Sequence, residues 1–331
     1  MNFSSTAAPG GTTPQSQPAS GPKLGYVWDD ASRSLRPVQG VAGASVIGPA
    51  AVTAPTQGAG YLSTASSVVS GAALFLDASG GVYQSSLAGG AFSKIASLPG
   101  ATALLMSYSG SYAVVTGKDA SGAPMAAVLS GLPGSPAILN LGVASLPGIL
   151  GGAASDTGTV ALAAGTSGGA VSVFAFPAQG AGAQVAAAQS YGGIQFVPGS
   201  DELVVGDGGS GAITAISHVN TTPASAVLSA GGGIAAPVAL DITSNARWVV
   251  AANAKGDVLR VDLSGVAAPN KVHCSCAPSQ VVAMSGTTVH LVTASGGPLW
   301  IVDAGGTSPR VLFVPAIIPA AQATVITKSA M

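Results

Sequence analysis

Charge is scarce in this chain. Asp, Glu, Lys and Arg make up 7% of its 331 residues, against roughly a quarter in an ordinary soluble domain. There is one glutamate, Glu202, and the formal net charge is −1. With no basic patch there is nothing to neutralise a phosphate backbone, so nucleic acid is excluded as an expected partner. No Lys/Arg-rich amphipathic stretch suits a membrane surface. Cysteine is limited to Cys274 and Cys276, which excludes a disulfide scaffold. At alternate positions of one strand, a bridge between the two is expected to be strained. Long apolar runs are missing too. The nearest, Val311–Thr327, is broken by Pro315, Pro319 and Gln322, so no transmembrane segment is expected. The chain as given shows neither the basic n-region nor the apolar h-region of a signal peptide.

What the chain has in quantity is glycine, with 47 residues, and apolar residues, at 48%. They are arranged in a repeat of roughly 41 to 46 residues from Gly25 onward, each copy holding several short apolar strands separated by Gly/Ser/Asp turns. A period of this length with several strands per copy predicts the blade of a β-propeller. The clearest marker is a hairpin between the second and third strands of a copy, B and C. It begins at Ala73, Tyr112, Val160, Leu203, Trp248 and Val289. Gly, Asn and Asp in these turns suit the positive φ angles of tight hairpins. A blade is covered on both faces by its neighbours, which accounts for strands without a polar face and for the lack of charge.

These copies predict an all-β chain with seven four-stranded blades, six being the alternative. Residues 1–22 are rich in Ser, Thr, Pro and Gly without apolar periodicity, and are expected to be a disordered arm. Residues 23–331 are expected to form one propeller domain. The N-terminal stretch Gly25–Val41 resembles Leu299–Val314 and reads as a C–D hairpin. The tail Ile317–Lys328 then supplies the missing A and B strands, and the ring is closed by strands from both chain ends. Gly43–Gly60 lacks a strand signal.

The copy Trp248-Val-Val-Ala-Ala-Asn-Ala-Lys-Gly-Asp-Val-Leu-Arg-Val-Asp-Leu263 resembles the repeat of YVTN-type and NHL-type bacterial β-propellers. Those proteins repeat an apolar strand, a short Asn/Gly turn and a strand ending in Asp. The resemblance covers most of Gly25–Val314. It implies an exported protein that acts as a binding platform, in the periplasm or outside the cell. Some related propellers are enzymes, so fold does not choose the function.

Few residues carry chemistry. His273, Cys274 and Cys276 are a candidate metal set, since two thiolates and an imidazole suit zinc or copper. On one strand, however, Cys274 and Cys276 share a face and His273 points away. Asp241, in the predicted A strand Ala239–Thr243, is the candidate catalytic carboxylate because A strands line a propeller's channel. Alone it falls short of a calcium site. Asp29, Asp30, Asp77, Asp119, Asp207, Asp257, Asp262 and Asp303 fall in turns or at strand ends and read as residues bonding their own backbone. Asp201 and Glu202 read as solvated surface. His290 reads as a residue among apolar neighbours. The expectation is a monomeric, non-catalytic binding or scaffold module without a cofactor, for a protein or small ligand. The alternative is a hydrolase or lyase, with or without a metal, whose site lies in the central channel.

Overall fold

The computed structural model describes residues 21–54, 60–178, 180–231, 233–293 and 298–315. These residues form seven antiparallel sheets and no helix. The first sheet holds β1 (Lys23–Asp29), β2 (Ser34–Val41), β3 (Ala44–Ile47) and β4 (Val52–Thr53). The second holds β5 (Tyr61–Ser67), β6 (Ala72–Asp77), β7 (Gly81–Ser86) and β8 (Ser93–Ser97). The third holds β9 (Ala101–Met106), β10 (Tyr112–Lys118), β11 (Pro124–Ser130) and β12 (Ala137–Asn140). The fourth holds β13 (Ile149–Ala154), β14 (Val160–Gly165), β15 (Val171–Phe176) and β16 (Ala183–Ala188). The fifth holds β17 (Tyr191–Phe196), β18 (Leu203–Asp207), β19 (Ile213–Ser217) and β20 (Ala224–Ser229). The sixth holds β21 (Pro237–Ile242), β22 (Trp248–Asn253), β23 (Asp257–Asp262) and β24 (Asn270–His273). The seventh holds β25 (Gln280–Ala283), β26 (Thr288–Val292), β27 (Leu299–Asp303) and β28 (Arg310–Val314). From the second blade on, each sheet runs A-B-C-D in chain order. The chain is a seven-bladed β-propeller, and the six-bladed alternative is set aside.

Burial follows from stacking the blades face to face. The second strands β6, β14 and β22 are buried at every residue, because each of their faces meets another blade. Each apolar cluster draws on adjacent blades. Trp248, Val250 and Val258 of the sixth pack with Val281, Leu291 and Val302 of the seventh. Small residues set the spacing where inner strands approach. Gly193 has a φ of +106°, and a Cβ there would stand 2.6 Å from the Leu240 nitrogen on the next blade. Only glycine tolerates both the angle and the contact.

The B–C turns are built as the sequence reading expects. Asp77 Oδ1 accepts from the Ser79 nitrogen at 2.9 Å, the Ser79 hydroxyl at 2.7 Å and the Gly81 nitrogen at 2.7 Å. Asp119 repeats the pattern with Ser121 and Ala123, and Asn253 with Lys255 and Asp257. An Asx side chain closing the turn over its own backbone is a local, self-contained device.

The first blade corrects two expectations. Gly25–Val41 is a B–C hairpin, not C–D. Ser285, in the A–B turn of the seventh blade, donates from its nitrogen to the Leu24 oxygen at 2.5 Å and from its hydroxyl to the Lys23 oxygen at 3.2 Å. The start of β1 therefore lies on the A–B turn side, where B strands begin. Asp29 then takes the Asx position at the end of B, accepting from the Ala31 nitrogen at 3.1 Å. Both β3 and β4 pair with β2 on the edge away from β1, at Val38–Val41 and Ser34–Leu35. The segment read as lacking a strand thus holds the outer strand, interrupted by a turn. Residues 1–20 of the expected 1–22 arm and the closing segment Ile317–Lys328 lie outside the described residues, while the Pro22 oxygen accepts from the Gly40 nitrogen at 2.8 Å.

Candidate functional site

Six innermost strands (β5, β9, β13, β17, β21 and β25) enclose a central cavity of about 750 Å³. The side chains at the wall are mostly Ser, Thr, Ala, Gly and aliphatic, with Tyr108, Tyr191 and Phe196 among them. Its charged lining, among the described residues, is Asp156 and Asp241.

Asp241 lies on β21, as predicted, and is 8% exposed. Its Oδ1 accepts from Gln195 Nε2 on the fifth blade at 3.0 Å and from the Ile242 nitrogen at 2.7 Å. Its Oδ2 accepts from the Ala283 nitrogen on the seventh blade at 2.7 Å. One carboxylate therefore links three consecutive blades. Burial pushes its pKa up to about 6, against three donors that favour the charged form. Both oxygens already hold donors from the chain itself. That is the geometry of a structural tie rather than of a base aimed at a substrate proton.

A second tie was missed. Asp156, in the A–B turn of the fourth blade, accepts from the Ser109 nitrogen at 2.7 Å and the Gly199 nitrogen at 2.9 Å, linking the third and fifth blades. The Ser67 hydroxyl donates to the Tyr108 oxygen at 2.8 Å, and the Ser244 hydroxyl to the Gly286 oxygen at 3.2 Å. The A–B turns are thus bonded into a rim around the channel mouth. Asp201, read as solvated surface, belongs to it, accepting from Thr157 and Asn220. The available signal was the period itself, because the partners in neighbouring A–B turns stand 41 to 47 residues apart. On this rim Val68, Val69 and Tyr108 are 45%, 60% and 39% exposed, side by side in neighbouring turns. Apolar residues in a turn otherwise made of Ser and Gly were a legible sign that went unread.

The metal candidates do not assemble as a ligand set. β24 ends at His273, so Cys274 and Cys276 lie in the D–A loop rather than on a strand. There they are joined in a disulfide, with Cα atoms 5.1 Å apart. The strand placement on which the readings of both cysteines rested is corrected by this loop position. The His273 Nδ1 instead meets Asp257 Oδ1 on the adjacent strand at 3.2 Å. Among the described residues, no three His, Cys, Asp or Glu side chains stand close enough to share a metal ion.

His290, on β26, is half-buried, and burial lowers its pKa to about 4. Tyr191 packs against Gly151 in the wall, and burial pushes its phenol up to about 12. Arg260 is buried with its guanidinium 4.1 Å from the Trp248 ring centroid, and donates to the Ala304, Gly306 and Thr307 oxygens at 3.0 Å each. It fastens the sixth blade to the seventh.

No family model matches the chain, and no curated protein matches it. Solved structures do. A chain of the "Mitotic Checkpoint Complex" superposes with a TM-score of 0.54 at 12% identity, over 77% of this chain and 80% of that one. A chain of the "Nidogen/Laminin Complex" gives 0.51 at 12% identity, over 86% and 91%. A functionally unknown protein from Desulfotomaculum acetoxidans DSM 771 gives 0.59 at 13% identity, over 89% and 100%. At such identities the likeness establishes the fold alone.

Proposed function

We propose that this propeller is a non-catalytic binding or scaffold module whose ligand, a protein or a small molecule, docks at the channel mouth on the A–B turn side. The observation that carries the reading is the division of labour at that mouth. The carboxylates Asp156 and Asp241 are occupied by donors from neighbouring blades. Val68, Val69 and Tyr108, by contrast, present an exposed apolar lip. A rigid rim with an exposed apolar lip suits recognition, because little order is lost on binding. Likeness to chains found in two protein complexes agrees with a protein ligand. The reading includes a place among YVTN/NHL-type, WD40-like repeat propellers, a monomeric state and an exported location, to which a disulfide at Cys274–Cys276 adds support.

The test uses Nile red, a neutral apolar dye. Enhanced emission with the wild-type protein is expected, and Val69→Asp should lower it. Emission unchanged by Val69→Asp overturns the choice of site. The hydrolase or lyase alternative keeps one supporting observation, the raised pKa of Asp241 in the channel wall. Turnover of a lactone, sugar or peptide substrate that disappears in Asp241→Asn would establish it in place of the binding reading.

A further inference from the structure

The outer strand of each blade ends in a bare row of N–H and C=O groups, which invites another strand unless it is blunted. This chain blunts these edges in several ways. β8, β16 and β20 each carry an extra residue against their inner neighbour, with register slips at Val82/Tyr83, Val173/Phe174 and Ile213/Thr214. Lys94, Lys271 and Arg310 place a cation on β8, β24 and β28. The outer strand of the first blade is interrupted between β3 and β4.

β12 has none of these features. Ala137–Asn140 pairs with Ala127–Ser130 without a slip, carries no charge and is exposed at all four residues. Ile138 and Leu139 are 44% and 48% exposed. Beside it lies a groove of about 750 Å³ between the third and fourth blades, walled by Leu139, Leu141, Leu146, Phe174 and Phe176. No charged residue lines it among the described residues. Leu139 faces this groove, since its partner Val128 packs with Phe176.

We propose that β12 and the adjoining groove form a docking site for an extended, uncharged, apolar segment of a partner protein, which adds to the β12 edge as a further strand. Backbone hydrogen bonds supply the pairing, and alternate side chains of the segment enter the groove between Leu139 and Phe174. The uncharged lining selects the segment, because a charge placed there loses hydration without gaining a counterion. A second copy of this chain fits less well. Two rims meeting along the four residues of β12 bury far less than the roughly 1,200 Å² of a stable specific interface. A flexible segment runs past β12 into the groove. The site lies on the outer rim, and its outcome is independent of the channel mouth.

The test is fluorescence anisotropy with a labelled, end-capped hexapeptide of alternating valine and threonine. A control peptide has N-methyl groups on alternate amides, which removes its donors. Saturable binding to the full chain is expected, weakened at least tenfold by Leu139→Lys or by N-methylation. Leu139→Lys changes an exposed residue, and an unchanged melting temperature shows that the fold is kept. Absence of saturable binding, or binding indifferent to Leu139→Lys or to N-methylation, overturns the proposal. Sedimentation over a range of concentrations adds a second arm. A wild-type dimer that becomes a monomer in Leu139→Lys would show the occupant to be a second copy, and would also overturn it.

Discussion

Replacing Asp241 by asparagine tests whether this carboxylate is a structural tie. In the folded chain its pKa stands at about 6, raised from the ordinary 3.8 by burial. The folded state therefore binds a proton more tightly than the unfolded state. Between pH 3.8 and about 6 it holds more protons, so stability falls as pH rises through that window. The contribution is fully present below the unfolded value and lost above the folded one. At about 1.4 kcal/mol per pH unit, the window amounts to about 3 kcal/mol.

Asparagine removes this titration. Its Oδ1 keeps one or two of the donors, while its amide turns N–H groups toward a remaining donor, Ala283 N or Gln195 Nε2. An unsatisfied buried donor costs about 1–3 kcal/mol. At pH 7 the two effects oppose each other, and the variant should lie within about 2 kcal/mol of wild type in stability. At pH 4 the wild type regains its proton and the variant gains nothing. The difference between them, measured by urea unfolding at a series of pH values, should move by about 2.4 kcal/mol in favour of wild type from pH 7 to pH 4. Taking the difference cancels every other titrating group common to both proteins. A difference that stays flat across this range would refute the burial argument. One that moves the other way would mean that the three donors outweigh desolvation.

His290 should show the opposite sign. Burial lowers its pKa to about 4, so its contribution is fully present above the unfolded value near 6.5 and fades as pH falls toward 4. An NMR titration should find the imidazole neutral at pH 5, and a midpoint near 6.5 would disprove its burial. Arg260→Lys replaces a fork that reaches three carbonyls and stacks on Trp248. A loss of about 2–4 kcal/mol in urea unfolding is expected, and a loss below 0.5 kcal/mol would show the fork to be dispensable. The Cys274–Cys276 bridge encloses one residue, so chain entropy limits its contribution to about 1.6 kcal/mol. The double change Cys274→Ser, Cys276→Ser should lower stability by no more than that. Alkylation before reduction should add no mass to the wild-type protein.

Much of the fold was legible because the blade repeats its chemistry locally. An Asx residue followed by Ser and Gly, as at Asp77 and Asp119, closes a turn through bonds within five residues. Such turns mark hairpins in any context, and their spacing then counts the blades. The direction of the first hairpin was not legible, since it depends on Ser285 bonding to Leu24 across the ring. Nor was the loop placement of Cys274 and Cys276, which begins where β24 ends at His273. Asp241 was placed on the right strand. Its role was not, because that is decided by Gln195 and Ala283 on other blades.

The same reasoning explains why the candidate site was harder to read than the fold. In a ring of blades, residues one period apart become neighbours, and polar side chains on the inner strands meet donors from the next copy. Asp156 and Asp241 each use both oxygens in this way. A carboxylate that appears isolated and available in the sequence is thereby occupied in the fold. Recognition then falls to groups the repeat leaves over. Those are Val68, Val69 and Tyr108 at the channel mouth and the straight, uncharged β12 on the outer rim. Both are breaks in the pattern of the repeat, a Ser/Gly turn that carries valines and an outer strand that lacks its bulge or lysine. In a chain this poor in charge, departures from the repeat are more informative about function than the presence of any ionisable residue.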